Sequence, residues 1–125
     1  MLITTDGREP ISGSADRVFH GDADRWNPEQ LLLAALGECH LLSYLHVAAK
    51  NGIVVEEYAD APSGTLRQEP DGAGRITEAV LRPVVTISAG DPELALALHE
   101  EAGRLCFIAA SVAFPIRHEA RIRVR

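Results

Sequence analysis

The chain has 125 residues, of which 46% are hydrophobic and 24% charged, with a formal net charge of −6 at pH 7. That length predicts a single domain over residues 1–125, able to bury about two-thirds of the surface its unfolded form exposes, and the composition excludes a disordered chain. The acidic balance argues against nucleic acid or an anionic membrane surface as partner, because both select a basic face.

The first residues, MLITTDGREP, carry neither a basic leader nor an apolar stretch. No signal peptide is expected, and the reading is a cytoplasmic protein. Up to Trp26, Gly, Pro, Ser and Asp recur at short intervals between apolar patches at Leu2-Ile3 and Val18-Phe19, which predicts short strands and turns. The clearest element begins at Asn27, a good N-cap, followed by Pro28 at the first helical position, Glu29 in the first turn and Gln30 placed to complete a capping box. Asn51-Gly52 is the stop signal, giving a helix of about 23 residues, or about 35 Å. Leu31, Leu32, Leu33, Leu36, Leu41, Leu42, Leu45 and Val47 cover much more than one stripe of it. A helix apolar nearly all round is buried, and one small chain offers too little cover, so a second copy is expected. The longest apolar run in this half, Leu31 to Leu36, is far short of the roughly 18 residues of a membrane span.

Ile53–Tyr58 reads as a strand. Gly64–Gln68 and Ile76–Ile87 flank the turn-rich Glu69–Gly74 and read as a hairpin. Pro83, inside the second run, predicts an edge or a bulge, since proline has no N–H for a ladder bond. Asp91-Pro92 opens a second helix with Leu94, Leu98, Ala102 and Leu105 on one face and Glu93, Glu100, Glu101 and Arg104 elsewhere. A short further helix is expected between Cys106 and Pro115. In the tail, Ile116, His118, Ala120, Ile122 and Val124 alternate with Arg117, Glu119, Arg121, Arg123 and Arg125, the pattern of one half-buried strand. The order predicts an α+β domain with mostly antiparallel pairing.

The candidate chemistry is sulfur. Cys39 lies inside the apolar helix, Cys106 at the end of the second helix, and no CxxC occurs. Two readings stand: a pair of small buried hydrophobes, or a thiol pair in which one sulfur attacks an oxidant and the other resolves the product as a disulfide. The second requires the two helices to pack with their Cα atoms within about 7 Å. It also requires donors or a cation near Cys39, because burial raises a thiol's pKa, and Glu38 beside it works the other way. No metal site is expected: His40 and His46 lack the spacing that puts two ligands on one helix face, and His99 lies two turns from Cys106. His20 and His118 read as surface or sheet residues. No nucleophile-elbow GxSxG and no phosphate-cradling glycine motif is present, so no cofactor is expected.

Asn27-Pro28-Glu29-Gln30-Leu31-Leu32, the small residues leading to Cys39, and Cys106 followed by Phe-Ile-Ala-Ala-Ser resemble the signature of the OsmC/Ohr family, over about 100 residues from Asn27 to the end. The resemblance implies an OsmC-like α+β fold in which antiparallel sheets wrap two long central helices in an intertwined homodimer. It implies thiol-dependent reduction of organic hydroperoxides in oxidative-stress defence. On this resemblance Cys39 is expected to become a sulfenic acid, Cys106 to resolve it, and a lipoyl-type dithiol to reduce the disulfide. Glu29 matches the family glutamate that holds an active-site arginine. At about 15 Å from Cys39 along the helix, it is expected to act across the dimer or else only to complement the helix dipole. The sequence departs from the family pattern at Glu38, where a small residue is usual. Arg8, Arg17 and Arg25 sit in no motif that identifies the family's arginine. The alternative is a non-catalytic dimer of the same fold that binds a small molecule or serves in stress.

Overall fold

A computed structural model describes residues 1–125. Strands β1 (Leu2–Ile3) and β2 (Ile11–Ser12) pair antiparallel. A 3-10 turn at Arg17–Phe19 follows, capped by the Asp16 carboxylate, which accepts from the Val18 N–H at 2.9 Å. Helix α1 runs Pro28–Lys50. The Asn27 side chain accepts the Gln30 N–H at 2.8 Å and the Gln30 side chain accepts the Asn27 N–H at 3.0 Å, so the expected capping box forms. The helix ends before Gly52, whose φ of 71° lies where glycine alone is at ease.

The remaining elements are β3 (Val54–Ala59), β4 (Ser63–Gln68), β5 (Gly74–Leu81), β6 (Val84–Ala89), α2 (Pro92–Leu105), β7 (Ile116–His118) and β8 (Arg121–Val124). They build two three-stranded sheets, ordered β3-β6-β8 and β4-β5-β7. The hairpin of β4 and β5 is as expected, as is α2. Several expectations are corrected. The run Ile76–Ile87 is two strands, β5 and β6, which enter different sheets. Pro83, with no N–H to give, sits where the chain changes sheet rather than at a bulge. The alternating tail likewise divides into β7 and β8, one per sheet. Its alternation persists only because both short strands present one face inward, and Val124 is left exposed. Pairing is mostly antiparallel, as expected, but β7 lies parallel to β5 and β8 parallel to β6, so both three-stranded sheets are mixed rather than the antiparallel sheets the resemblance implies. The two crossings run side by side, with the Glu119 N–H donating to the Leu81 carbonyl at 2.8 Å and the Arg121 N–H to the Pro83 carbonyl at 2.9 Å. The helix expected after Cys106 is only a 3-10 turn, Ala109–Ser111.

The core is divided. A larger cluster joins Tyr44, Val47 and Ala48 of α1 to Val85 and Ile87 of β6 and to Ala95, Leu98 and Ala102 of α2, with Ile53. A smaller one joins Leu33 and Leu36 of α1 to Ala79 and Leu81 of β5. The all-round burial expected of α1 is not met within one chain. Its core-facing side is sealed, but Leu42 is 60% exposed on the other side, which forgoes the roughly 1.5–3 kcal/mol that burying a leucine yields. By length and composition α1 is apolar enough to cross a bilayer, yet one face of it packs against the chain's own strands and α2.

Candidate thiol site and family

Cys39 lies midway along α1, partly open to solvent, and Cys106 is the buried C-cap residue of α2. The backbone leaves the helix at Cys106 in an extended conformation, φ −75° and ψ 116°, and the chain folds back over both sulfurs. The Ala109 N–H donates to the Cys106 sulfur at 3.4 Å. Both cysteines are free thiols, and they lie side by side. The helices therefore bring together the two residues that sequence separation left undecided.

Their environments differ in sign. Burial pushes Cys39 up, but the backbone N–H groups of Ile108 and Phe107 and the Cys106 thiol outweigh it, with Glu38 opposing them, and hold Cys39 below the ordinary thiol value. Cys106 is pushed up, first by burial and then by Cys39 itself, against the opposing amides of Ala109 and Ile108. The donors that sequence reasoning required near Cys39 are thus amides of residues 107 and 108, invisible as side chains. The Glu38 carboxylate opposes them.

Glu29 sits in the first turn of α1, as expected from the cap. It does not reach the thiols of its own chain, and ten residues separate it from Cys39. Among the candidate arginines, Arg25 forms an ion pair with Asp22 at 3.4 Å. It shares with Glu38, Trp26, Gln30 and Asp60 a cavity of about 510 Å³ along the outer side of α1. Arg8 donates to the Gly7 carbonyl at 3.1 Å.

Sequence reasoning missed a second polar group. His40 of α1, His99 of α2 and His118 of β7 form a column at the level between the two apolar clusters. His40 stacks on His118 with centroids 4.4 Å apart and on His99 at 5.3 Å, and His99 stacks on Tyr44 at 4.1 Å. Nε2 of His40 lies 3.0 Å from Nδ1 of His99, and the Tyr44 hydroxyl donates to the Ala95 carbonyl at 2.7 Å. His118, read as a surface or sheet residue, is a sheet residue turned inward. The signal lay in the periodicity. His40 follows Leu36 and precedes Tyr44 by four residues each, His99 stands between Ala95 and Ala102, and His118 lies on the inward phase of the tail. All three occupy core-facing positions of their elements. Stacked rings do not aim their nitrogens at one centre, so the column is not built as a tetrahedral metal cage.

Residues 21–121 match a family model described as OsmC-like protein. No curated protein matches the chain. Among solved structures, the chain is similar to an OsmC-like protein of unknown function from Vibrio cholerae O1 biovar eltor, at 32% identity and TM-score 0.85, covering 95% of this chain and 82% of that one. It is similar in fold to an organic hydroperoxide resistance protein OsmC from Legionella pneumophila, at 22% identity and TM-score 0.73, covering 95% and 85%. The same holds for an organic hydroperoxide resistance protein from Elizabethkingia anophelis, at 18% identity and TM-score 0.71, covering 96% and 84%. With a family model spanning its helices and both cysteines, the chain belongs to the OsmC-like family.

Proposed function

We propose that this protein is a cytoplasmic thiol peroxidase that reduces organic hydroperoxides at the junction of a homodimer. The observation that carries the reading is the unequal thiol pair: Cys39 held down by backbone amides, Cys106 beside it held up. A thiolate is the nucleophile and a neutral thiol is a suitable second partner. The Cys39 thiolate attacks one peroxide oxygen, the O–O bond breaks, and the alkoxide takes a proton to leave as alcohol. Cys39 is then a sulfenic acid. Cys106 condenses with it to a disulfide and water, and an external dithiol of lipoyl type returns both thiols by exchange. Similarity in fold to two proteins named for organic hydroperoxide resistance supports the substrate class.

The dimer is supported by the apolar surface that one chain leaves open. Leu42 is 60% exposed, Leu45 39%, and Phe107, next to the buried thiol, 83%. A second copy laid along α1 would cover it and would let Glu29 act across the junction. Stopped mixing of reduced protein with tert-butyl hydroperoxide, followed by thiol counting, tests the chemistry: two thiols should vanish per peroxide consumed. Persistence of both thiols overturns it. Sedimentation that shows a folded monomer at micromolar concentration overturns the dimer.

A second reading, a non-catalytic binding protein, has one observation in its favour. Glu38 raises Cys39 and lines the 510 Å³ cavity together with Trp26. A small molecule retained in native mass spectrometry, with thiols inert to peroxide, would select it.

A further inference from the structure

We propose that His118 is the proton carrier of the resolving thiol, taking the Cys106 proton as the disulfide forms, with His40, itself held by His99, stacked on its ring. This rests on the peroxidase reading and adds a residue to it.

Stability does not account for the column. Burying imidazoles between apolar clusters is unfavourable unless their nitrogens are bonded, yet Nδ1 of His40 and Nε2 of His99 have no partner. The fold also gives up a side chain to admit His118. A Cβ on Gly103 would stand 2.7 Å from Cε1 of the His118 ring and 3.3 Å from its Nε2, so only glycine leaves room there. Glycine inside a helix costs about 1 kcal/mol relative to alanine. Gly103 precedes Cys106 by three residues, about 4.5 Å along the helix axis. His118, His40 and Cys106 line one cavity of about 350 Å³, which Glu100 borders. The ring and the resolving sulfur thus share a space large enough for solvent to bridge them.

Charge distinguishes His118 from its neighbours. His40 from α1 stacks on it, His99 from α2 and Asp60 from the loop before β4 couple to it electrostatically, and Glu100 and Cys106 of α2 line the same cavity. Burial lowers His118, and the Asp60 carboxylate opposes that by favouring the imidazolium. One Asp60 oxygen accepts the Arg82 N–H at 2.7 Å, while the other is buried without a partner. Burial, with the neighbouring rings adding to it, pushes His40 down to about 3 and His99 to about 4, so both are neutral supports at pH 7. His118 alone has a counter-ion.

The step balances. The Cys106 S–H bond breaks and its proton crosses to His118. The sulfur's electron pair forms the S–S bond with Cys39, and the Cys39 S–O bond breaks. The departing hydroxide collects the proton from His118 as water. The Cys106 sulfur is oxidised, the Cys39 sulfur reduced, and His118 ends as it began.

Two measurements on the full-length protein test this. After a peroxide pulse, dimedone trapping and mass spectrometry should show sulfenate accumulating in His118→Asn, with disulfide formation slowed about 100-fold, a size typical of lost acid–base assistance. The rate should recover as pH rises and Cys106 ionises unaided. Separately, in a Cys39→Ser background, the pH at which iodoacetamide alkylates Cys106 should move upward on His118→Asn. Asp60→Asn, which keeps every ring, should move both profiles the same way and carries the test if His118→Asn does not fold. Unchanged Cys106 alkylation profiles in both variants overturn the assignment whatever peroxide does. Wild-type protein whose two thiols both survive the peroxide pulse overturns the peroxidase reading, which the alkylation arm does not use.

Discussion

Cys39 and His40 are neighbours in the chain but face opposite worlds. Cys39 looks out from α1 under a fold of backbone whose amides draw it toward the thiolate. His40 looks in, fully enclosed, and is driven toward the neutral form. About 100° of helical rotation separates the two side chains. A residue's ionisation is thus set by which side of the helix it leaves from, and the same desolvation is outweighed on one side by amide donors and left unopposed on the other.

The largest test of this contrast is Cys39→Ser. Peroxide consumption should fall to the uncatalysed background while the urea midpoint barely moves, since the residue is on the open side. Stability loss with activity retained would reverse the two roles. On the sealed side, Leu36→Ala should cost about 2–5 kcal/mol, the range for truncating a fully buried leucine, read from urea unfolding of a fixed protein concentration. Tyr44→Phe removes the bond to the Ala95 carbonyl and should cost about 1–3 kcal/mol.

Acid probes the contrast directly. His40 and His99 are depressed in the folded state to about 3 and about 4, against about 6.5 unfolded. The unfolded chain therefore binds more protons in that window. Stability is whole above pH 6.5 and falls as pH drops from there toward 4 and below, by up to about 1.4 kcal/mol per pH unit for each histidine. Urea midpoints measured between neutral and mildly acidic pH should decline accordingly, and His99→Gln should flatten the slope. The finest distinction is between the sulfurs. In the wild type, Cys39 should alkylate at lower pH than Cys106, and the reverse order would contradict the amide argument. The smallest effect belongs to Leu42→Ala: within about 0.5 kcal/mol for the chain itself, as for exposed positions generally, with the proposed dimer weakened in sedimentation.

Local signals were legible because they are local. Asn27-Pro28 and Asp91-Pro92 announced both helix starts, and each cap forms as written. The hairpin around Asp71-Gly72 was equally plain. The divided strands were not, because a run rich in Val, Ile and Thr continues across Arg82-Pro83 and the tail's alternation across Glu119-Ala120, and neither pattern says which sheet a residue joins. The thiol pair could be nominated but not placed, since its geometry depends on how α1 packs on α2. Its activating amides have no side-chain signature at all. The histidines were visible as residues and became a column only when three elements of distant sequence met.

The paired crossings between the sheets carry a mechanical consequence. Leu81 to Val84 and His118 to Arg121 pass together from one sheet to the other, tied by backbone bonds at 2.8 and 2.9 Å. Neither sheet can open without loosening the other at that seam. Hydrogen exchange should therefore report the amides of both sheets as a single cooperative opening, with the donating amides of Glu119 and Arg121 at the seam among the slowest, and a protease should find no foothold between them.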